Sequence, residues 1–398
     1  MQIVGKAKAF SAACAAVKGA VTGRSSMPIL SHILVVADSD GVTVVGTDLE
    51  LLIKSQVPDL TVLDPGCIAI PYKASSELFS KLPPGADVTA GIDKGYRLTT
   101  TCNKQKAAIL SLPGEDYPKL DRENYKYVIN DCSGDLIDSI QRTAYAASID
   151  TTRVVICGVS LQWDGNELSV IATDTHRLVR NIVQNVTVTN KDGKTADRFS
   201  IILPAAAVKS FTTIAKKTDR PIFHVGDTYF SVVINELTTI SSRLVDGEFP
   251  NVTRVIPDPS KSEFRFMVNT SELKGAALSV FPVAKENSNR VVLTFNFREG
   301  KLRLSASAQT VGDIEDEVSI VTKKSEADNM VTAVNVAYLI DQLSSSKDEH
   351  WFFDMTGPLK PYLCRPAVIP EPEPGDDPSP ELVPSKYSIC VLMPMQLS

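Results

Sequence analysis

The residues best placed for chemistry are Asp174 and His176, two apart in Thr173-Asp174-Thr175-His176-Arg177-Leu178. A carboxylate and an imidazole at that spacing would make half of a hydrolytic or metal site. Residues two apart at a strand end share a side, but no nearby residue supplies a nucleophile or a third ligand. The other histidines, His32, His224 and His350, are far away in the chain. An upstream copy, Thr47-Asp48-Leu49-Glu50, keeps the aspartate and has no histidine beside it. An aspartate that caps a tight turn accounts for both copies. The reading is therefore turn architecture, with a nuclease or deaminase built on Asp174 and His176 as the competitor. Phosphate cradles of the GxxxxGK[ST] or GxGxxG kind are absent, as are a GxSxG elbow and an HExxH pair. The seven cysteines are odd in number and scattered, with no CxxC. That is neither a disulfide framework nor a zinc site, and it suits a reducing cytoplasm.

The elements that position these turns recur. Each aspartate follows a run of alternating β-formers, and a weaker third copy is Leu302-Arg303-Leu304-Ser305-Ala306-Ser307. The stretch from Lys6 to Val21 has apolar residues at three- and four-residue spacing and is predicted helical. Matching helices are expected from Asp135 and from Ser271. A second helix per repeat is expected after Ile70-Pro71-Tyr72, Leu203-Pro204-Ala205 and Val334-Asn335-Val336. The first two repeats close on Pro113-Gly114-Glu115-Asp116-Tyr117-Pro118 and Val245-Asp246-Gly247-Glu248-Phe249-Pro250. Each repeat thus reads helix, several strands, helix, more strands, an α+β unit present three times. Domains are expected at 1–125, 126–259 and 260–398. The third is overlong because residues 366–386, PAVIPEPEPGDDPSPELVPSK, form a proline-rich acidic insert with little to bury.

Composition bounds the function. A chain of 398 residues with 43% hydrophobic and 22% charged residues suits two or three globular domains. No apolar run approaches the roughly 18 residues of a membrane helix. The net charge of −6 argues against a uniform nucleic-acid binder, yet lysines fall on the expected helices. Lys6, Lys8 and Lys18 belong to the first helix, and Lys73 and Lys81 to the second; Arg142, Lys209, Lys216, Lys217 and Lys274 continue the series.

Five segments in register carry a family resemblance. They are Met27-Pro28-Ile29-Leu30, Gly46-Thr47-Asp48-Leu49-Glu50, Ala172-Thr173-Asp174-Thr175-His176-Arg177-Leu178, Ser242-Arg243-Leu244-Val245-Asp246-Gly247-Glu248-Phe249-Pro250 and Val391-Leu392-Met393-Pro394-Met395. On a threefold repeat, they resemble the bacterial sliding clamps, the β subunits of DNA polymerase III, over the whole chain outside the insert. The resemblance implies three tandem DNA-clamp domains, with helices inside and antiparallel sheets outside. Two chains would close head to tail into a ring around duplex DNA. It implies no cofactor and no catalysis. The expected partners are double-stranded DNA, DNA polymerase III alpha and other polymerases, the clamp loader and a second copy of the chain. The other class considered is a non-catalytic peptide-binding scaffold that never encircles DNA.

The resemblance also assigns sites. DNA contact falls to Arg24, Lys73, Asp150 and Lys209; Lys209 is included because Ala205 and Ala206 stand where clamps often carry basic residues. The dimer interface falls to Ala107 and Ile109 opposite Val280 and Phe281. A peptide pocket is expected from Thr173, Thr175, His176, Arg177 and Leu178, with Ile156 from the strand before. Pro250, Arg254 and Val255 are expected on the last strand of the second domain. Leu359, Pro361, Val391, Met393, Pro394 and Met395 would face them, giving an apolar groove with two arginines at its rim.

Overall fold

The protein is described from a computed structural model that places residues 1–23, 26–119, 124–131, 134–215, 220–369 and 382–397. Arg24, Lys216, Lys217 and positions 370–381 of the insert lie outside the described residues. Six α-helices stand among those described: α1 (Ala7–Ala16), α2 (Tyr72–Lys81), α3 (Asp135–Ala144), α4 (Ala205–Ile214), α5 (Thr270–Ala284) and α6 (Val336–Ser345). They fall in pairs, one pair per repeat, as the sequence predicts. Two details differ. Each repeat opens with a strand before its first helix: Gln2–Lys6, Tyr127–Asp131 and Phe264–Asn269. Lys6 therefore ends a strand rather than starting a helix, and Lys18 belongs to a short 3-10 turn after α1.

The second helices start where the chain can supply or dispense with hydrogen bonds. Pro71 precedes α2 with φ −64°, and the Asn335 side chain accepts from the Ala337 N–H at 3.0 Å to cap α6. The Asn269 side chain caps α5 the same way, accepting from the N–H groups of Ser271 and Glu272.

The chain divides into two compact units that cut across the repeats. The first unit holds Met1–Ile137, Asn185–Asp197 and Ala206–Val245. In it, strand Leu51–Gln56 of the first repeat pairs with Thr238–Arg243 of the second, Leu51 opposite Ser242 and Ser55 opposite Thr238. A separate five-stranded sheet ends at the edge strand Gln105–Leu110. Helices α1 and α2 pack together, with Phe10 and Phe79 stacked at 5.0 Å.

The second unit holds Asp138–Gln184, Arg198–Ala205 and Asp246–Ser398. Its sheet passes from the second repeat to the third through Arg177–Val183 and Ser388–Leu392, with Leu178 opposite Val391. The core beneath is aromatic: Phe266 lies 5.1 Å from Phe295 and 5.1 Å from Phe353. Each such ring contributes about 1.5–3 kcal/mol by burial. No helix among the described residues is long and apolar enough to cross a membrane.

One buried charge cluster sits in this sheet. Asp354, 2% exposed, accepts from Arg265 Nε at 2.5 Å and from an Arg365 terminal nitrogen at 2.7 Å. Removing the carboxylate would leave the Arg365 side chain, 13% exposed, without its counter-ion and would release the half-buried Arg265. Asp354→Ala is expected to destabilise the fold by about 3–5 kcal/mol. Urea unfolding checks this, and a loss under 1 kcal/mol would show that the cluster is solvated.

Candidate functional site

The turn that follows strand Leu168–Thr173 is built by its own side chains. The Thr173 hydroxyl donates to the Arg177 carbonyl at 2.7 Å and accepts from the Thr175 N–H at 3.2 Å. Asp174 Oδ1 accepts from the N–H groups of His176, at 3.0 Å, and Arg177, at 2.9 Å. These bonds hold Thr175 at φ +78°, where a β-branched residue is strained. The upstream copy is the same device. Thr47 donates to the Leu51 carbonyl at 2.8 Å, Asp48 accepts from Glu50 and Leu51, and Leu49 has φ +80°. Asp174 is thus committed to a turn, and the hydrolytic or metal reading loses its acid. Among the described residues no group of three or more His, Cys, Asp or Glu could hold a metal ion.

The two copies differ at the position after the turn. Leu51 in the first repeat is replaced by Arg177 in the second. Arg177 Nε donates to Asp174 Oδ2 at 2.9 Å, and a terminal nitrogen donates to Asp341 Oδ2 of α6 at 2.7 Å. The guanidinium carbon lies 4.3 Å from the Tyr338 ring centroid and 5.2 Å from that of Tyr145. Burial raises the Tyr338 phenol above its ordinary range, and Asp174 adds to the effect. Arg177 is therefore an arginine held between two carboxylates and two rings. Of the two arginines expected at the rim, Arg254 is exposed, and Arg177 is held by Asp174 and Asp341. Sequence reading missed Tyr145, Tyr338 and Asp341, because nothing in the local pattern links them to a turn so distant in the chain.

From this turn the chain meets the last strand. The Met393 N–H donates to the His176 carbonyl at 2.9 Å, and the Met395 N–H donates to Ala333 at 2.7 Å. His176 lies over Tyr338, ring centroids 6.4 Å apart. The structure sorts the expected pocket residues into two groups. Thr175, His176, Pro250, Arg254, Val255 and Leu359 are exposed, the last 62% so; Arg177, Pro361, Met393, Pro394 and Met395 are half-buried. Ile156, Thr173, Leu178 and Val391 are buried, with Leu178 and Val391 paired across the sheet, so they offer no exposed surface. Ile156 ends a 3-10 turn, Thr151–Ile156, not a strand. Pro250, Arg254 and Val255 follow the last strand, which stops at Arg243, and Arg254 and Val255 belong to the short turn Thr253–Val255.

The other assigned residues are placed as follows. Lys73 on α2 and Lys209 on α4 are exposed. Asp150 is exposed too, but its carboxylate caps the 3-10 turn, accepting from Thr152 N at 3.0 Å and from the Thr152 hydroxyl at 2.8 Å. Those bonds hold it below the usual carboxylate range, so it is an anion unsuited to touch phosphate. Ala107 and Ile109 are half-buried on the edge strand Gln105–Leu110, beside Leu110 at 74% exposure. Phe281 is half-buried on α5, whereas Val280 is fully buried in its own domain and cannot meet a partner as expected. Leu278, 48% exposed on the same helix, was not singled out by the sequence reading.

Paired α/β repeats joined through shared sheet edges, with a self-bonded turn at each junction, define a clamp-type protein. Family models agree, in order along the chain: the N-terminal domain of the DNA polymerase III beta subunit matches residues 1–121, the central domain 133–251 and the C-terminal domain 253–371. The beta sliding clamp of Bacillus subtilis is 27% identical over 356 residues, covering 87% of this chain and 90% of that protein. That of Staphylococcus aureus is 25% identical over 374 residues, covering 92% and 93%. Among solved structures, the DNA polymerase III subunit beta of Pseudomonas aeruginosa superposes with a TM-score of 0.83 at 21% identity, over 100% of both chains. The DNA polymerase sliding clamp of Bacillus subtilis gives 0.83 at 23%, again over 100% of both. The chain belongs to the DNA polymerase III beta subunit family, the bacterial sliding clamps.

The lock around Arg177 is testable alone. Arg177→Met keeps the stem and leaves Asp174 and Asp341 facing each other. A loss of about 1–3 kcal/mol is expected, reduced from the buried-pair figure because Asp341 is 48% exposed. A double-mutant cycle with Asp341→Asn should give a coupling near 1 kcal/mol. Additive losses would mean that the two side chains do not act together.

Proposed function

We propose that the chain pairs head to tail with a second copy, closes a ring around duplex DNA and tethers a replicative polymerase through the groove beside residues 391–395. Membership in the family makes it a processivity factor and not an enzyme. The observation that carries the reading is the ordered match of all three clamp domains along one chain. Domains bounded at 1–125, 126–259 and 260–398 are part of the proposal, as is a cytoplasmic location, which the scattered cysteines, free among the described residues, favour.

Ring closure needs two open edges, and each terminal repeat supplies one. Among the described residues, strand Gln105–Leu110 has a neighbour on one side only. In strand Gly312–Lys324, residues 320–324 pair with Phe264–Asn269, whereas 312–319 pair with Lys301–Ala308 and have no strand on their other side among the described residues. Lys104 and Lys106 lie at the first edge, and Asp313, Glu315, Asp316 and Glu317 at the second. Opposite charge on complementary edges favours a heterologous contact that closes after two copies. Leu278 and Phe281 supply apolar surface nearby on α5. DNA would be held by topology, with Lys73 and Lys209 adding non-specific attraction to phosphate.

The partner groove takes a short linear segment with Gln and Leu or Phe anchors, as expected of polymerases and of the loader. Half-buried Met393 and Met395 can repack around different anchors. The alternative, a scaffold that never encircles DNA, is not favoured by the family match.

The deciding experiment is loading onto nicked circular DNA with a clamp loader and ATP. The protein should co-elute with the circle and leave when the circle is linearised; retention on the linear form would defeat the topological reading. Ile109→Arg, a charge placed at the proposed edge, should give folded monomers by sedimentation; an intact dimer would remove that edge from the interface. Leu178 is unsuitable for probing the groove, because a charge at a 3% exposed, strand-paired site would open the sheet itself. Val255→Ser with Leu359→Ser should instead weaken a partner peptide by about thirtyfold, equal to about 2 kcal/mol. Dimerisation, read by sedimentation, should be unchanged. Unaltered peptide affinity would place the groove elsewhere.

A further inference from the structure

Cys364 and Cys390 stand directly opposite each other on the neighbouring antiparallel strands Tyr362–Val368 and Ser388–Leu392. The register runs Tyr362 to Leu392, Leu363 to Val391 and Cys364 to Cys390, so both thiols leave the same face of the sheet. Opposed residues in such a pair have Cα atoms about 4.5–5.5 Å apart, inside the roughly 4.4–6.8 Å that a disulfide spans. Their Cβ atoms, typically about 4.5–5.5 Å apart, need to close by only about 1 Å. Both side chains are buried, 0% and 4% exposed. The Tyr145 hydroxyl lies 3.5 Å from Cys390 Sγ. Other described cysteines lack this arrangement: Cys102 faces Gln105 across its hairpin, and Cys67 faces Val36.

We propose that Cys364 and Cys390 are a latent cross-strand disulfide site, closed by hydrogen peroxide. A Cys390 thiolate attacks one peroxide oxygen; the O–O bond breaks, leaving a sulfenic acid on Cys390 and a hydroxide ion. The Cys364 thiolate then attacks the sulfenic sulfur, the S–S bond forms and a second hydroxide leaves. The two thiol protons convert the hydroxides to water. The sulfurs give up two electrons, and the peroxide becomes two water molecules.

Burial sets the pace of the step. It pushes the Cys390 thiol up to about 12 and raises that of Cys364, so thiolate is scarce while the sheet is closed. Reaction therefore waits for strand Ser388–Leu392 to lift from its neighbours, a local opening that exposes both sulfurs together. Once made, the bond closes the loop of residues 365–389 and fixes the strand that leads into Met393 and Met395.

The test uses the full chain and reads covalent structure, so it is independent of the partner-groove reading. After hours in hydrogen peroxide and alkylation in denaturant, the intact mass should show one disulfide, with Cys364 and Cys390 missing from the alkylated thiols. Proteolytic mapping should join Cys364 to Cys390. Closing a loop of this size should raise Tm by about 5–10 °C, reversibly with dithiothreitol. Cys364→Ala and, separately, Cys390→Ala should lose both the linked fragment and the Tm rise. If both cysteines remain alkylatable under peroxide that has oxidised the less buried Cys157, the proposal is overturned. A disulfide mapped to any other pair overturns it too.

Discussion

The pairing of strand edges is the constraint on which the rest of this molecule depends. A strand edge left open presents a row of unmet N–H and C=O groups, which costs stability and invites foreign pairing. Here each repeat finishes its sheet with a strand from the next. Leu51–Gln56 takes Thr238–Arg243, and Arg177–Val183 takes Ser388–Leu392. The compact units therefore straddle the repeats, and the central repeat gives one part of itself to each unit.

Each junction uses the same turn, yet the two have different fates. In both, the N–H of the incoming strand bonds to the turn: Arg243 to the Glu50 carbonyl at 3.1 Å, and Met393 to the His176 carbonyl at 2.9 Å. At the first junction a leucine follows, and Tyr117 secures the turn, its hydroxyl accepting from Thr47 N at 3.1 Å while burial pushes its phenol up to about 12. At the second, an arginine with two aspartates and two rings takes over. One sequence device is thus secured by a buried tyrosine in one place and by an arginine held between two carboxylates in the other.

Much of this was legible in the residues. Apolar spacing located the helix pairs, and the repeated Thr-Asp located both turns, because hydrogen bonds two or three residues long are written locally. What escaped depends on the third dimension. Strand alternation for Leu178 and Val391, and helical spacing for Val280, mark inward-facing positions but do not say whether the same chain covers them; in each case it does. The second carboxylate that holds Arg177, Asp341, arrives from another repeat, so the local sequence does not announce it. Asp150 was grouped with DNA contacts by resemblance, while its chemistry is that of a turn cap. Strands before each first helix were missed because five or six residues beside a helix give a weak period.

The shared sheet also has a consequence in time. Strand Ser388–Leu392 is synthesised long after Arg177–Val183, the strand it must pair with. At about 5–20 residues per second, the interval is on the order of ten seconds or more. Throughout it the nascent second repeat carries an open, apolar-backed edge while the ribosome works through the third. For that interval the edge can pair with a foreign strand as readily as with its own.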